Sequence, residues 1–146
     1  MKSILQIIIL VLIPAFLGSC SKNYNEIENF EWKLDRIETA SGFSSTLPSI
    51  ESPATEDRYL LHFDKESASV NMFLVVNKWE AHYEITNSET IVMSGNTTTE
   101  IGYDGDGIWV EDTLNAYGSD TFRYTVKAKK LSLQSDRATL IFHCKD

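Results

Sequence analysis

The chain has 146 residues and carries 13 Lys and Arg against 21 Asp and Glu, a net charge of −8 with neutral histidines. That length suits one domain. The acidic balance, with no basic cluster larger than Lys127-Ala128-Lys129-Lys130, argues against a nucleic-acid-binding protein. At the start, Met1-Lys2-Ser3 bears one positive charge, and Ile4 to Leu17 is apolar apart from Gln6 and is interrupted by Pro14. The run is shorter than the roughly 20 residues of a spanning helix, and its charged-then-apolar-then-small layout is that of a secretory signal. Leu17-Gly18-Ser19 leads directly into Cys20.

This junction resembles the lipobox of bacterial lipoproteins. The resemblance implies that residues 1–19 are a signal peptide, that Cys20 is lipidated on its thiol and then on its new amino group, and that the chain is held on a membrane without crossing it. Ser21 stands where an inner-membrane retention Asp would, and Ser21 to Asn25 lacks a run of carboxylates. By resemblance to envelope sorting, both features imply an outer-membrane lipoprotein facing the periplasm. Cys144 then has no cysteine partner, which leaves neither a disulfide framework nor a cysteine-based zinc site.

Residues 20–29 read as a solvated tether and residues 30–146 as a single β domain. Phe30 to Ile37 alternates and predicts a first strand with Phe30, Trp32 and Leu34 inward. Thr39 to Asp57, with Pro48 and Pro53, has no sustained period and reads as a long loop, of a length that is functional or disordered. Arg58 to Asp64 alternates, with Tyr59, Leu61 and Phe63 on one face and His62 outward. Ser69 to Val76 is a more continuous apolar run, expected to be buried on both faces or under the long loop. Trp79 to Ile85 is the cleanest alternation, with Trp79, Ala81, Tyr83 and Ile85 inward and Glu80, His82 and Glu84 outward.

Thr90 to Met93 and Thr97 to Tyr103 read as separate short strands, and Tyr103-Asp104-Gly105-Asp106-Gly107 as a tight turn. Ile108 to Tyr117, ending at Gly118, predicts a short helix with Trp109, Thr113 and Tyr117 on one face. Thr121 to Lys127 turns Phe122, Tyr124 and Val126 inward, Lys129-Lys130 makes a turn, Leu131 to Gln134 pairs back, and Thr139 to Cys144 closes the sheet with Cys144 in phase with Leu140 and Phe142. The fold class is therefore mostly β, a curved or closed antiparallel sheet with at most one short helix.

Chemical signals are sparse. Asp104-Gly105-Asp106-Gly107 resembles the start of a calcium loop, but Ile108 and Asn115 occupy positions where ligands are needed, and turn chemistry accounts for the residues. His62, His82 and His143 lack the spacing of a zinc pair, so no metal is expected. Glu80, His82 and Glu84 share an outward face that offers acid–base groups, although alternating charge on a solvated strand is the commoner cause of such a pattern. No nucleophile elbow, phosphate loop or dinucleotide fingerprint occurs, so neither an enzyme nor a cofactor is expected.

Val76 to Ile85, Thr90 to Met93 and Thr97 to Glu100, with Phe122 to Leu133 and Leu140-Ile141-Phe142 as closing strands, resemble the META domain. That resemblance implies a binding module of the envelope. Glu31-Trp32-Lys33-Leu34 also resembles a lipocalin first strand, which implies instead a barrel around a small hydrophobic ligand. Three functions follow: a lipid-anchored interaction module using the Thr39 to Asp57 loop or a sheet edge, with an envelope protein or peptide as partner; a carrier of a small apolar ligand, suggested by Trp32, Phe63, Phe73, Trp79, Tyr83, Phe122 and Tyr124; and a hydrolase built on His82. The first is the main expectation and the carrier its alternative.

Overall fold

The computed structural model describes residues 26–42, 44–102, 105–114 and 118–145. Its first strand, β1 (Trp32–Thr39), buries Trp32 and Leu34 and then slips register between Leu34 and Arg36. The extra residue at this bulge resets the alternation, so Ile37 rather than Arg36 is the next side chain in the core. A two-residue strand, β2 (Ser44–Ser45), lies beside the end of β1. The remaining strands are antiparallel neighbours in chain order: β3 (Leu60–Asp64), β4 (Ser69–Phe73), β5 (Lys78–Asn87), β6 (Thr90–Thr98), β7 (Asp120–Lys127), β8 (Lys130–Gln134) and β9 (Ala138–Cys144).

β9 then pairs with β1, from Trp32 opposite Cys144 to Thr39 opposite Ala138, and closes the sheet into an eight-stranded barrel. Period-two burial supplies the core: Leu61 and Phe63, Val70 and Met72, Trp79, Ala81 and Tyr83, Ile91 and Met93, Phe122 and Tyr124, Leu131 and Leu133, Leu140 and Phe142. A barrel of this strand number has an interior just wide enough to be filled by side chains or to hold one small ligand. Closure pairs the barrel strands in a ring and leaves the two-residue β2 paired on one side only among the described residues.

The hairpin turns are built from local hydrogen bonds and left-handed residues. Asp64 Oδ1 accepts from the amides of Glu66 and Ser67, and Asn87 Oδ1 from Glu89. A bond from the Ser67 side chain, then those from the Ser67 and Glu66 amides, hold the Asp64 carboxyl below the usual carboxylate range. The β7–β8 turn is Ala128-Lys129, both with positive φ (50° and 59°), as a two-residue turn matched to strand twist requires. It therefore sits one residue before the predicted Lys129-Lys130, because no Gly or Asn marks it.

Several expectations are corrected. Phe30 lies before β1, exposed and edge-on to Trp32 with ring centroids 5.6 Å apart, instead of in the core. Ser69 to Val76 is buried on one side only: Val70, Met72 and Leu74 are inside, whereas Phe73 is 45% exposed beneath the cations of Arg58 and Lys78. The two predicted strands between Thr90 and Tyr103 are a single strand to Thr98, carried past its middle by Gly95 at φ +64°. The Asp/Gly segment is no hairpin turn: Gly105–Gly107 forms a 3-10 turn running straight into helix α2 (Ile108–Thr113), shorter than predicted and capped by Leu114. Asp104, Asn115 and Tyr117 lie outside the described residues. The long loop contains order as well, a helical turn α1 (Pro48–Glu51) followed by a 3-10 turn at Pro53–Thr55.

Candidate functional site: the covered end of the barrel

The two ends of the barrel differ, and the difference locates the site. At one end lie the start of β1, the β3–β4 turn and the end of β9. Here the last four residues of the segment expected to be a solvated tether fold: Glu26–Asn29 is a 3-10 turn whose Ile27 is fully buried. Trp32 Nε1 donates to Ile27 O at 2.8 Å, and Tyr83 Oη donates to Glu28 Oε1 at 2.6 Å, with Lys65 Nζ 3.4 Å from the other carboxylate oxygen. Burial, then Glu28, pushes the Tyr83 phenol well above its ordinary pKa. This end is plugged.

The opposite end is covered by the two long connections, from β1 to β3 and from β6 to β7. Each is tied down by polar contacts. Lys33 Nζ donates to the carbonyls of Thr55, Glu56 and Arg58 at 3.2, 3.1 and 2.6 Å, holding the end of the first connection against β1. Partial burial, then nearby Lys145, lowers the pKa of that ammonium. Tyr59, left-handed at φ +56°, is buried, and its hydroxyl lies 2.6 Å from Ser49 Oγ.

The second connection is held by buried Asn77, which lies between β4 and β5, accepts from the amides of Ile101 and Gly102, and donates to Gly102 O and Glu111 Oε1. Asn96 Nδ2 donates to Leu114 O at 2.8 Å, and Arg137 donates to Thr113 O. The two covers meet at a polar contact, Ser49 N donating to Asp106 Oδ2 at 3.0 Å.

Beside that contact opens a pocket of about 270 Å3, lined by Ile37, Thr39, Ser45, Leu47 and Trp109. Its lining is mostly apolar, and Trp109 is 61% exposed on α2. Val76 and Ile101, also exposed, continue the apolar character of this rim. Such a concave apolar site with a few hydroxyls is the usual form of a small-molecule site. Sequence reading missed its lining. Ile37 was hidden by the bulge, and Leu47 and Ser45 sat in a stretch without period; Trp109 carried a signal, an aromatic on a short helix whose buried face is Val110 and Thr113.

The other sequence candidates do not gather there. His62, His82 and His143 are all exposed on separate strands, and among the described residues no group of His, Cys, Asp and Glu is placed to hold a metal. Glu80 is engaged by Lys78 at 2.6 Å, with His82 and Glu84 beside it on the outer face. Asp106 and Glu111 serve the loop contacts just given. His143 Nδ1 lies 2.5 Å from Asp35 Oδ1, a pairing across the β1–β9 seam at the bulge. Cys144 is buried at the end of β9, and Cys20 lies outside the described residues. Of the seven aromatics that suggested a ligand, all but Phe73 face the interior.

No protein-family model and no curated protein matches the sequence, so the META resemblance gains no support from comparison. Among solved structures the chain is similar to a protein from Burkholderia xenovorans known by NMR, with TM-score 0.61 and 16% identity over 84% of this chain and 86% of that one. It is also similar to a lipocalin-like protein from Bacteroides uniformis (TM-score 0.53, 16% identity, 80% and 96% covered) and to an uncharacterized protein from Bacteroides eggerthii (TM-score 0.50, 15% identity, 80% and 98% covered). At these identities the likeness is one of fold, a closed antiparallel β-barrel.

Proposed function

We propose that this protein is a non-catalytic, lipid-anchored carrier of a small apolar ligand in the bacterial envelope. The observation that carries the reading is the asymmetry of the closed barrel: one end is sealed by Ile27 and Trp32, and the other holds an apolar pocket beside the exposed Trp109. Likeness to a lipocalin-like protein supports it at the level of fold. The carrier reading thereby replaces the META-type interaction module as the main one.

The described chain begins at Glu26, at the plugged end. A lipid on Cys20, six residues earlier, would hold that end toward the membrane and direct the pocket away from it. Titration of the full chain with the neutral fluorescent probe N-phenyl-1-naphthylamine tests the reading. Saturable binding that is weakened by Trp109→Ala supports it, and binding that is absent, or indifferent to that substitution, refutes it.

A further inference from the structure

Trp79 lies on the inner face of β5, opposite Met72 and Thr98, in the half of the barrel below the covered end. Its side chain is fully buried, and among the described residues no acceptor reaches its Nε1–H. The contrast with Trp32 is direct, since that indole donates to Ile27 O. A buried donor without a partner is destabilising, so such groups persist where something else accepts from them.

The surroundings restrict what that acceptor is. Among the described residues the buried polar ones are Thr55, Asn77, Asn96 and Thr113, with no Lys or Arg in that set. Asn96, on the neighbouring strand, donates its Nδ2 to Leu114 O. An ionised head group carried inside would therefore leave water and find no counter-charge. A neutral acceptor would meet one positioned donor.

Building on the carrier reading, we propose that Trp79 Nε1 is the polar anchor of the ligand site, and that the ligand is an uncharged apolar molecule bearing a single hydrogen-bond acceptor such as a carbonyl, ester or ether oxygen. Its apolar part packs among the interior side chains and leads toward the pocket at Leu47 and Trp109. Specificity in this arrangement comes from one hydrogen bond in an apolar setting, where a missing partner is felt more than a missing methylene.

The test uses three probes of equal chain length, 2-octanone, octane and octanoate, each displacing N-phenyl-1-naphthylamine from the full chain at pH 7, with wild type and Trp79→Phe compared. The expected result is that 2-octanone binds wild type more tightly than octanoate, and that the substitution weakens 2-octanone by roughly three- to tenfold while leaving octane unchanged. Should Trp79→Phe fail to fold, the wild-type Trp79 indole proton serves instead, shifting downfield with 2-octanone and not with octane. If probes bind but the ketone gains nothing from Trp79 by either measure, or octanoate binds best, the anchor is wrong and the carrier stands. If no probe binds wild type, the carrier reading itself falls.

Discussion

Trp32 and Ile27, five residues apart, close the barrel floor together: the indole N–H of the first donates to the carbonyl of the second at 2.8 Å, and both side chains are fully buried. The 3-10 turn before β1 is thus part of the folded domain. Ile27→Ala should lower stability by about 2–4 kcal/mol, the range for emptying a packed aliphatic site, as read from urea unfolding. A chain starting at residue 30 should melt well below one starting at residue 26.

Tyr83 extends the same floor through Glu28. Its phenol pKa is raised in the folded state above the ordinary value of 10.0, so the protonated phenol contributes stability that is fully present below pH 10 and is lost as pH rises through the folded value. Wild type should therefore lose more stability between pH 9 and pH 11 than Tyr83→Phe does, on the ordinary phenol scale. Urea midpoints for the two proteins across that interval measure the difference. Parallel curves would contradict the assignment.

Lys33 holds the first cover by three backbone carbonyls of the 53–58 segment. Lys33→Met retains the aliphatic stem and removes every donor. Cleavage by subtilisin between Ser52 and Arg58 should accelerate several-fold, while global stability drops by only about 1–2 kcal/mol. Equal cleavage rates would show that the cover is held by packing at Leu47 and Ile50 alone.

Asp106 joins the two covers through the Ser49 amide. Asp106→Ala should speed both uptake and release of N-phenyl-1-naphthylamine in stopped flow by a similar factor, leaving affinity within about twofold, because the contact gates the pocket without lining it. A change confined to affinity would place Asp106 in the site instead.

The strands were legible where one face is buried and the other solvated. Trp79 to Tyr83 on β5 and Phe122 to Tyr124 on β7 show in burial the alternation visible in sequence. Reading failed where backbone geometry breaks the period. The bulge at Asp35 brings Ile37 into the core, and Gly95 lets β6 continue through what looks like a break. Ala128-Lys129 adopts a turn conformation that its residue types do not announce.

The site was less legible than the fold, for a physical reason. Its lining comes from the end of β1, the β2 segment and α2, brought together by barrel closure and by single polar contacts such as Ser49 with Asp106. No local pattern encodes such long-range pairings. Phe73 misled in the opposite sense: an aromatic within an apolar run reads as core, yet it sits outside under Arg58 and Lys78.

The most direct test of the carrier reading is an NMR titration of the full chain, with tryptophan indoles 15N-labelled, against 2-octanone. The chain has three tryptophans, Trp32 at the plugged floor, Trp79 inside the covered half and Trp109 at the pocket. Saturable shifts at Trp109 and Trp79, with Trp32 unmoved, are the predicted result. Shifts at none of the three, or at Trp32 alone, would contradict it.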